Sequence, residues 1–150
     1  MPTLTDLLDP SRVAVGVSVR TQAEATARAL ARLEGHPAVR DPARLAADVR
    51  ARERVLSTGV GEGVALPHAR TPAVTGTVAV LLTLAEPVDW QALDGAPVDL
   101  VVLFAGPEGQ RAAHVRLLAQ ISRTLSRAGV RQHLAEAGTP EAAIAALDDG

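Results

Sequence analysis

Two apolar runs of strand length, 76-GTVAVLLTLAEP-87 and 98-VDLVVLFAG-106, restrict the folds open to this chain more than any other feature. A strand with one wet face alternates apolar and polar residues. The 98–106 run is instead almost unbroken in Val, Leu, Phe and Ala, the pattern of a strand covered on both faces. Such a strand needs helices above and below it, and the flanking sequence carries the signals for them. Thr21 is placed to cap a helix over 22–35, with Glu24 as capping-box partner and Gly35 as the stop. Asp41 and Pro42 open a second helix over 43–56. The C-terminal third reads as helices over 110–129 and 131–138, then a last one over 141–149 entered through Thr139 and Pro140. The run 13-VAVGVSV-19 reads as a further extended segment, and 87–98 as a loop turning at Asp94-Gly95. The whole of 1–150 therefore reads as one α/β domain, a layered sandwich without linker or repeat.

Composition decides what can fill that sandwich and what it can do. With one Phe, one Trp and no Tyr, the core has to be packed from Leu, Val, Ile and Ala. A chain of 150 residues can bury roughly 70% of the surface its unfolded form exposes, enough for one core. No cysteine is present, which excludes disulfides, thiolate catalysis and Cys-based zinc sites. The formal net charge of -2 gives no reason to expect nucleic acid as a partner. All 15 basic residues are arginine, which reads as composition bias. No apolar run is long enough to cross a membrane, and the N-terminus lacks a secretory pattern, so the expected setting is the cytoplasm, without direct membrane insertion.

The stretch 59-GVGEGVALPHAR-70 carries the chemistry. Glycines at 59, 61 and 63 permit positive φ, and successive N–H groups in such a turn can form an anion nest, although a purely structural turn would use the same letters. Neither nucleotide-binding glycine pattern fits, because there is no Gly-Lys-Ser/Thr ending and no helix directly follows. Pro67 keeps Leu66 out of the helical region, so the turn leads into an extended segment that presents His68. A histidine so placed can be a base, a metal ligand, a nucleophile or simply structural. Arg52 and Arg54 fall at the end of the second helix, and Arg70 lies two residues beyond His68 on what would be the same strand face. Arg50, Arg52 and Arg54 also fit a solvated helix face. His114 heads a stripe with Leu118, Ile121 and Leu125, which suits either a core-edge histidine or one closing over a site. His36 and His133 read as surface residues. A metal hydrolase using His68, His114 and Glu62 lacks any close-spaced ligand pair, so no metal and no other cofactor is expected.

The segments 52-RERVLSTGVGEGVALPHAR-70, 86-EPVDWQALDGAPVDLVVLFAGPEG-109 and 113-AHVRLLAQISRTL-125 together resemble the fructose/mannitol/nitrogen-type EIIA proteins of the bacterial phosphoenolpyruvate-dependent phosphotransferase system, the type-2 EIIA family. The resemblance extends over nearly the whole chain. It implies a mixed β-sheet flanked by helices, with His68 as the phosphorylated nucleophile and His114 as the second active-site histidine. Arg52 matches the family's arginine near the site, and Glu62 its acidic residue in the glycine turn. Backbone N–H groups around Gly61 and Gly63, together with Arg70, would then meet the phosphoryl oxygens. The implied partners are an HPr-type phosphocarrier as donor and, as acceptor, an EIIB component for fructose- or mannitol-type sugar uptake. The alternative output is nitrogen-type regulation, in which the phosphorylation state of His68 controls binding to target proteins; the 150 residues hold no fused EIIB-like or membrane domain, which keeps this open. The partner-facing surface is expected to centre on Val60, Val64 and Leu66.

Overall fold

The two apolar runs are the centre of the molecule. In the computed structural model, which describes residues 2–148, they form β5 (Val78–Val88) and β6 (Val98–Gly106), paired antiparallel with Val78 opposite Ala105 and Thr83 opposite Leu100. β1 (Val13–Val17) lies parallel to the outer edge of β5. The inner edge of β6 is shared by two short parallel strands placed end to end, β3 (Val64–Ala65) and β4 (His68–Arg70), and β2 (Gly59–Gly61) pairs antiparallel with β3. The result is a six-stranded mixed sheet.

Side-chain alternation along β6 feeds two cores. Val101, Leu103 and Ala105 pack with Ala25 and Ala29 of α2 (Gln22–Ala31) and with Leu45 and Val49 of α3 (Pro42–Val55). Leu100, Val102 and Phe104 face the other layer, built from α1 (Leu4–Leu7), α4 (Arg111–Leu125), α5 (Ala128–Glu136) and α6 (Pro140–Ala146). The unbroken apolar sequence of β6 is thus explained by helices on both faces. Each fully buried Val or Leu contributes about 1.5–3 kcal/mol relative to exposure.

The helix starts follow the caps. Thr21 Oγ1 accepts from the Glu24 N–H at 3.1 Å, Asp41 Oδ1 from the Arg44 N–H at 3.0 Å and Thr139 Oγ1 from the Ala142 N–H at 3.1 Å. Each such cap contributes about 1 kcal/mol. The Glu24 carboxylate, however, accepts from the Arg20 N–H instead of closing a box on Thr21. Element ends differ from the sequence expectation where a local device intervenes. Gly16, at φ 64°, shifts the β1 ladder and turns its N–H to Thr83 Oγ1, and the strand ends one residue later, at Val17, short of the expected residue 19. The long helix expected over 110–129 breaks after Leu125: Ser126 Oγ donates to the Arg123 carbonyl, and Arg131 Nη1, from the next helix, donates to that of Leu125. The expected end of the last helix at residue 149 lies outside the described residues.

Candidate active site

The break between β3 and β4 makes the site. Proline has no N–H, so the ladder lapses at Leu66-Pro67, although the Pro67 carbonyl still accepts from the Phe104 N–H at 3.0 Å. The Leu66 N–H turns to the Thr58 carbonyl, and its own carbonyl lies 2.6 Å from His68 Nδ1. A carbonyl only accepts, so Nδ1 carries the proton and the Nε2 lone pair is free. Nε2 has no hydrogen-bond partner among the described residues.

His68 is opposite Phe104 in the β4–β6 register, and the two rings stack with centroids 5.0 Å apart and planes at 11°. His114, in the first turn of α4, brings its ring to 5.5 Å from that of His68 and 5.2 Å from that of Phe104. Two imidazoles therefore stand over one buried phenyl ring. His114 Nδ1 is buried without a hydrogen-bond partner. An unpaired buried N–H is the costlier orphan, which favours the tautomer with its proton on Nε2.

Both rings are biased towards the neutral state. Burial pushes the His68 pKa down, opposed by the Leu66 carbonyl; the Arg52 charge lowers it further and Glu53 raises it. His114 is lowered to about 4, first by burial, then by the neighbouring His68 and by Arg70. Neutral imidazole with an unprotonated nitrogen is the nucleophilic form.

Of the arginines, Arg52 donates from Nη1 to the Leu56 carbonyl at 2.8 Å, closing the end of α3, and reaches His68 through its field. Arg70 sits two residues beyond His68 on the same strand face, exposed, with Nη1 3.5 Å from the Glu108 carbonyl.

The glycine turn is elsewhere, and this corrects the expectation for Gly61, Glu62 and Gly63. The three residues have φ of 102°, 58° and 78° and form the tip of the β2–β3 hairpin. That tip is level with Leu100 of β6, whereas His68 is level with Phe104; four residues of strand separate them by about 13 Å. Gly61 lies close against the Asp94 carboxylate and Gly63 against that of Asp99, at the far end of this strand path from the histidines. The Glu62 N–H donates to Asp94 Oδ2 at 3.0 Å, and its carboxylate pairs with Arg131 at 3.6 Å. The physical reason is the sharp hairpin itself: it sends β3 back along β6, and only after Pro67 does the chain reach the histidine. Val64 and Leu66 are likewise core residues, 3% and 1% exposed, and only Val60 of the expected docking trio is open.

The acidic residue near His68 is instead Glu53, which sequence reasoning missed. Its carboxylate accepts from the Thr58 N–H at 2.7 Å, from the Thr58 hydroxyl and from Trp90 Nε1 at 3.3 Å. It thereby ties the end of α3 to the start of β2 and to the loop behind Pro67. The signal was the Arg-Glu pair at 52–53, of which only the arginine was read. Phe104 was also missed, since its role depends on a strand register that no sequence pattern prints.

Residues 6–150 match the family described as phosphoenolpyruvate-dependent sugar phosphotransferase system, EIIA 2. The chain belongs to this family. EIIA 2 proteins are phosphotransfer components, and relatives of both outputs are found. A nitrogen regulatory protein of Pseudomonas aeruginosa is 47% identical over 92 residues, covering 61% of this chain and 60% of that protein. A fructose-specific EIIABC component of Bacillus subtilis is 39% identical over 93 residues, 62% of this chain and 15% of that protein. The chain thus spans less than two thirds of these relatives' length. The crystal structure of the nitrogen regulatory protein IIA-Ntr from Neisseria meningitidis superposes with a TM-score of 0.87 at 27% identity, covering 96% of this chain and 98% of that one. No helix among the described residues is long and apolar enough to cross a membrane.

Proposed function

We propose that this EIIA 2 chain is a phosphohistidine carrier in which His68 Nε2 takes a phosphoryl group from the phosphohistidine of an HPr-type carrier. The observation that carries the reading is the 2.6 Å contact from His68 Nδ1 to the Leu66 carbonyl, which leaves Nε2 as the nucleophile. In the transfer, the P–N bond of the donor breaks as the bond from phosphorus to His68 Nε2 forms, and the donor nitrogen keeps the electron pair. The Nδ1 proton stays in place, held by the Leu66 carbonyl, which stabilises the positive charge building on the ring. No base is required. The remaining demand is in-line positioning and donors for the equatorial oxygens, the roles assigned to the His114 N–H and to Arg70, with Arg52 contributing its field. Incubation with phosphoenolpyruvate, Enzyme I and HPr should yield an acid-labile, base-stable adduct on the wild type and none on H68A. Labelling of H68A at the wild-type level would overturn the assignment.

Downstream, passage to an EIIB component for fructose- or mannitol-type sugar is the first reading, supported by similarity to the fructose-specific relative. The regulatory reading, in which the phosphorylation state of His68 controls binding to target proteins, is favoured by the higher identity to the Pseudomonas nitrogen regulatory protein and by the overlay with IIA-Ntr. Label transfer from the phosphorylated protein to a purified fructose- or mannitol-type EIIB supports sugar uptake; no transfer beside normal loading on His68 supports regulation.

A further inference from the structure

Behind the histidine strand lies a second concave site that the transfer chemistry leaves unused. It is a cavity of about 520 Å³ between the first turn of α2, the C-terminal half of α3 and the loop at 90–91, with Pro67 in its wall. That volume falls in the range of small-molecule pockets. Arg50 and Arg54 line it together, one helical turn apart on α3. Neither has a hydrogen-bond or ion-pair partner among the described residues. Arg52, the arginine between them on α3, is by contrast committed to the Leu56 carbonyl. The one carboxylate in the lining, Glu53, is already taken by Thr58 and Trp90. The pocket therefore offers two uncommitted guanidinium groups and no free acid. The apolar part of the lining includes Val49, Val55, Leu56 and Pro67, of which Val55 is 81% and Leu56 59% exposed.

We propose that this pocket binds a small organic anion, a carboxylate or phosphate ester with a compact apolar body, whose charged end is forked by Arg50 and Arg54 and whose body lies against Val55, Leu56 and Pro67. Guanidinium pairs grip planar or tetrahedral oxyanions through parallel N–H donors, and the apolar wall rewards a carbon skeleton over a bare ion. The site is separate from His68 and does not depend on the transfer reading.

The chain carries its own reporter, since Trp90 lines the pocket and is the sole tryptophan, with no tyrosine present. Trp90 emission and amide shifts of Arg50, Arg54 and Gln91 should be followed while titrating phenyl phosphate, benzoate and the uncharged analogue benzamide. Expected are saturable changes with the two anions, at most weak ones with benzamide, and a loss of affinity of at least about tenfold in R50Q/R54Q. R28Q, on an exposed face of α2 away from the pocket, should bind as the wild type does. H68A should also retain binding, which separates this site from the histidine pair: loss of binding in H68A, or shifts centred on His114 and Arg70, overturns the proposal. So do equal affinity for benzamide, unchanged binding in R50Q/R54Q, or no saturable change at millimolar concentration in either measurement.

Discussion

The imidazole of His68 lies nearly parallel to the phenyl ring of Phe104, with 5.0 Å between centroids. Phe104 is fully buried and in register with His68, so the core of the domain sets the height and tilt of the candidate nucleophile directly. A stacked aromatic pair contributes about 0.5–1.5 kcal/mol beyond area burial. Phe104→Leu should lower stability in urea unfolding by at least that amount and slow phosphoryl acceptance, because the ring gains freedom in the in-line direction. A stability loss with unchanged transfer rate would reduce Phe104 to a core residue.

Glu53→Gln keeps the shape of the Thr58 and Trp90 node but replaces one acceptor oxygen by a donor NH2. Trp90 Nε1 also lies 3.3 Å from Thr58 Oγ1, which can turn to accept from the new NH2, so the cost is the loss of charge-assisted bonding at this node, about 1 kcal/mol. Since Glu53 raises the His68 pKa, its neutralisation should move that pKa further down. An NMR titration of the His68 ring checks the sign: an upward or absent shift would mean that the carboxylate acts only on the fold.

The layers were legible in the sequence because their signals are local. The unbroken apolar run at 98–106 announced a doubly covered strand, and Thr21, Asp41 with Pro42, and Thr139 with Pro140 announced their helices; all of these elements are present. The site was legible in its histidines, which the fold places side by side from positions 46 residues apart (114 − 68). Gly61, Glu62 and Gly63 were misplaced because nearness in sequence was read as nearness in space. One proline, reversing no direction but interrupting the ladder, separates the hairpin tip from the histidine by four residues of strand. Glu53 and Phe104 act through pairings between distant segments, and periodicity within a single segment carries no trace of those.

The depressed pKa of His114 ties stability to pH. In the unfolded chain this histidine titrates near 6.5, in the folded protein at about 4. Between these values the unfolded state binds more protons, so the contribution of the buried neutral ring is fully present above pH 6.5 and is lost as pH falls towards 4. His68 is shifted in the same direction and adds to the trend. Urea midpoints should therefore drop across that window, and H114Q should show a shallower drop than the wild type. Parallel curves for the two proteins would show that His114 titrates normally.

Arg70 links this electrostatics to the encounter with a partner. It is exposed, shares the strand face of His68 and contributes to the low pKa of His114. Among the described residues its side chain makes one hydrogen bond, to the Glu108 carbonyl, and at 3.5 Å this is long, so the guanidinium can turn to an incoming phosphoryl group at little cost. A charge at the rim of a transient interface acts mainly on the association rate and its salt dependence. Transfer from the phosphorylated carrier should slow as ionic strength rises from about 0.05 to 0.5 M, where the Debye length falls well below the size of the interface. Arg70→Glu should slow transfer most at low salt, with an unchanged unfolding midpoint at neutral pH, and should raise the His114 pKa. Quench-flow rates across the salt range decide the first effect and a ring titration the second. Equal rates for wild type and R70E at low salt, together with a raised His114 pKa, would leave Arg70 as an electrostatic neighbour of the second histidine and place the docking face elsewhere.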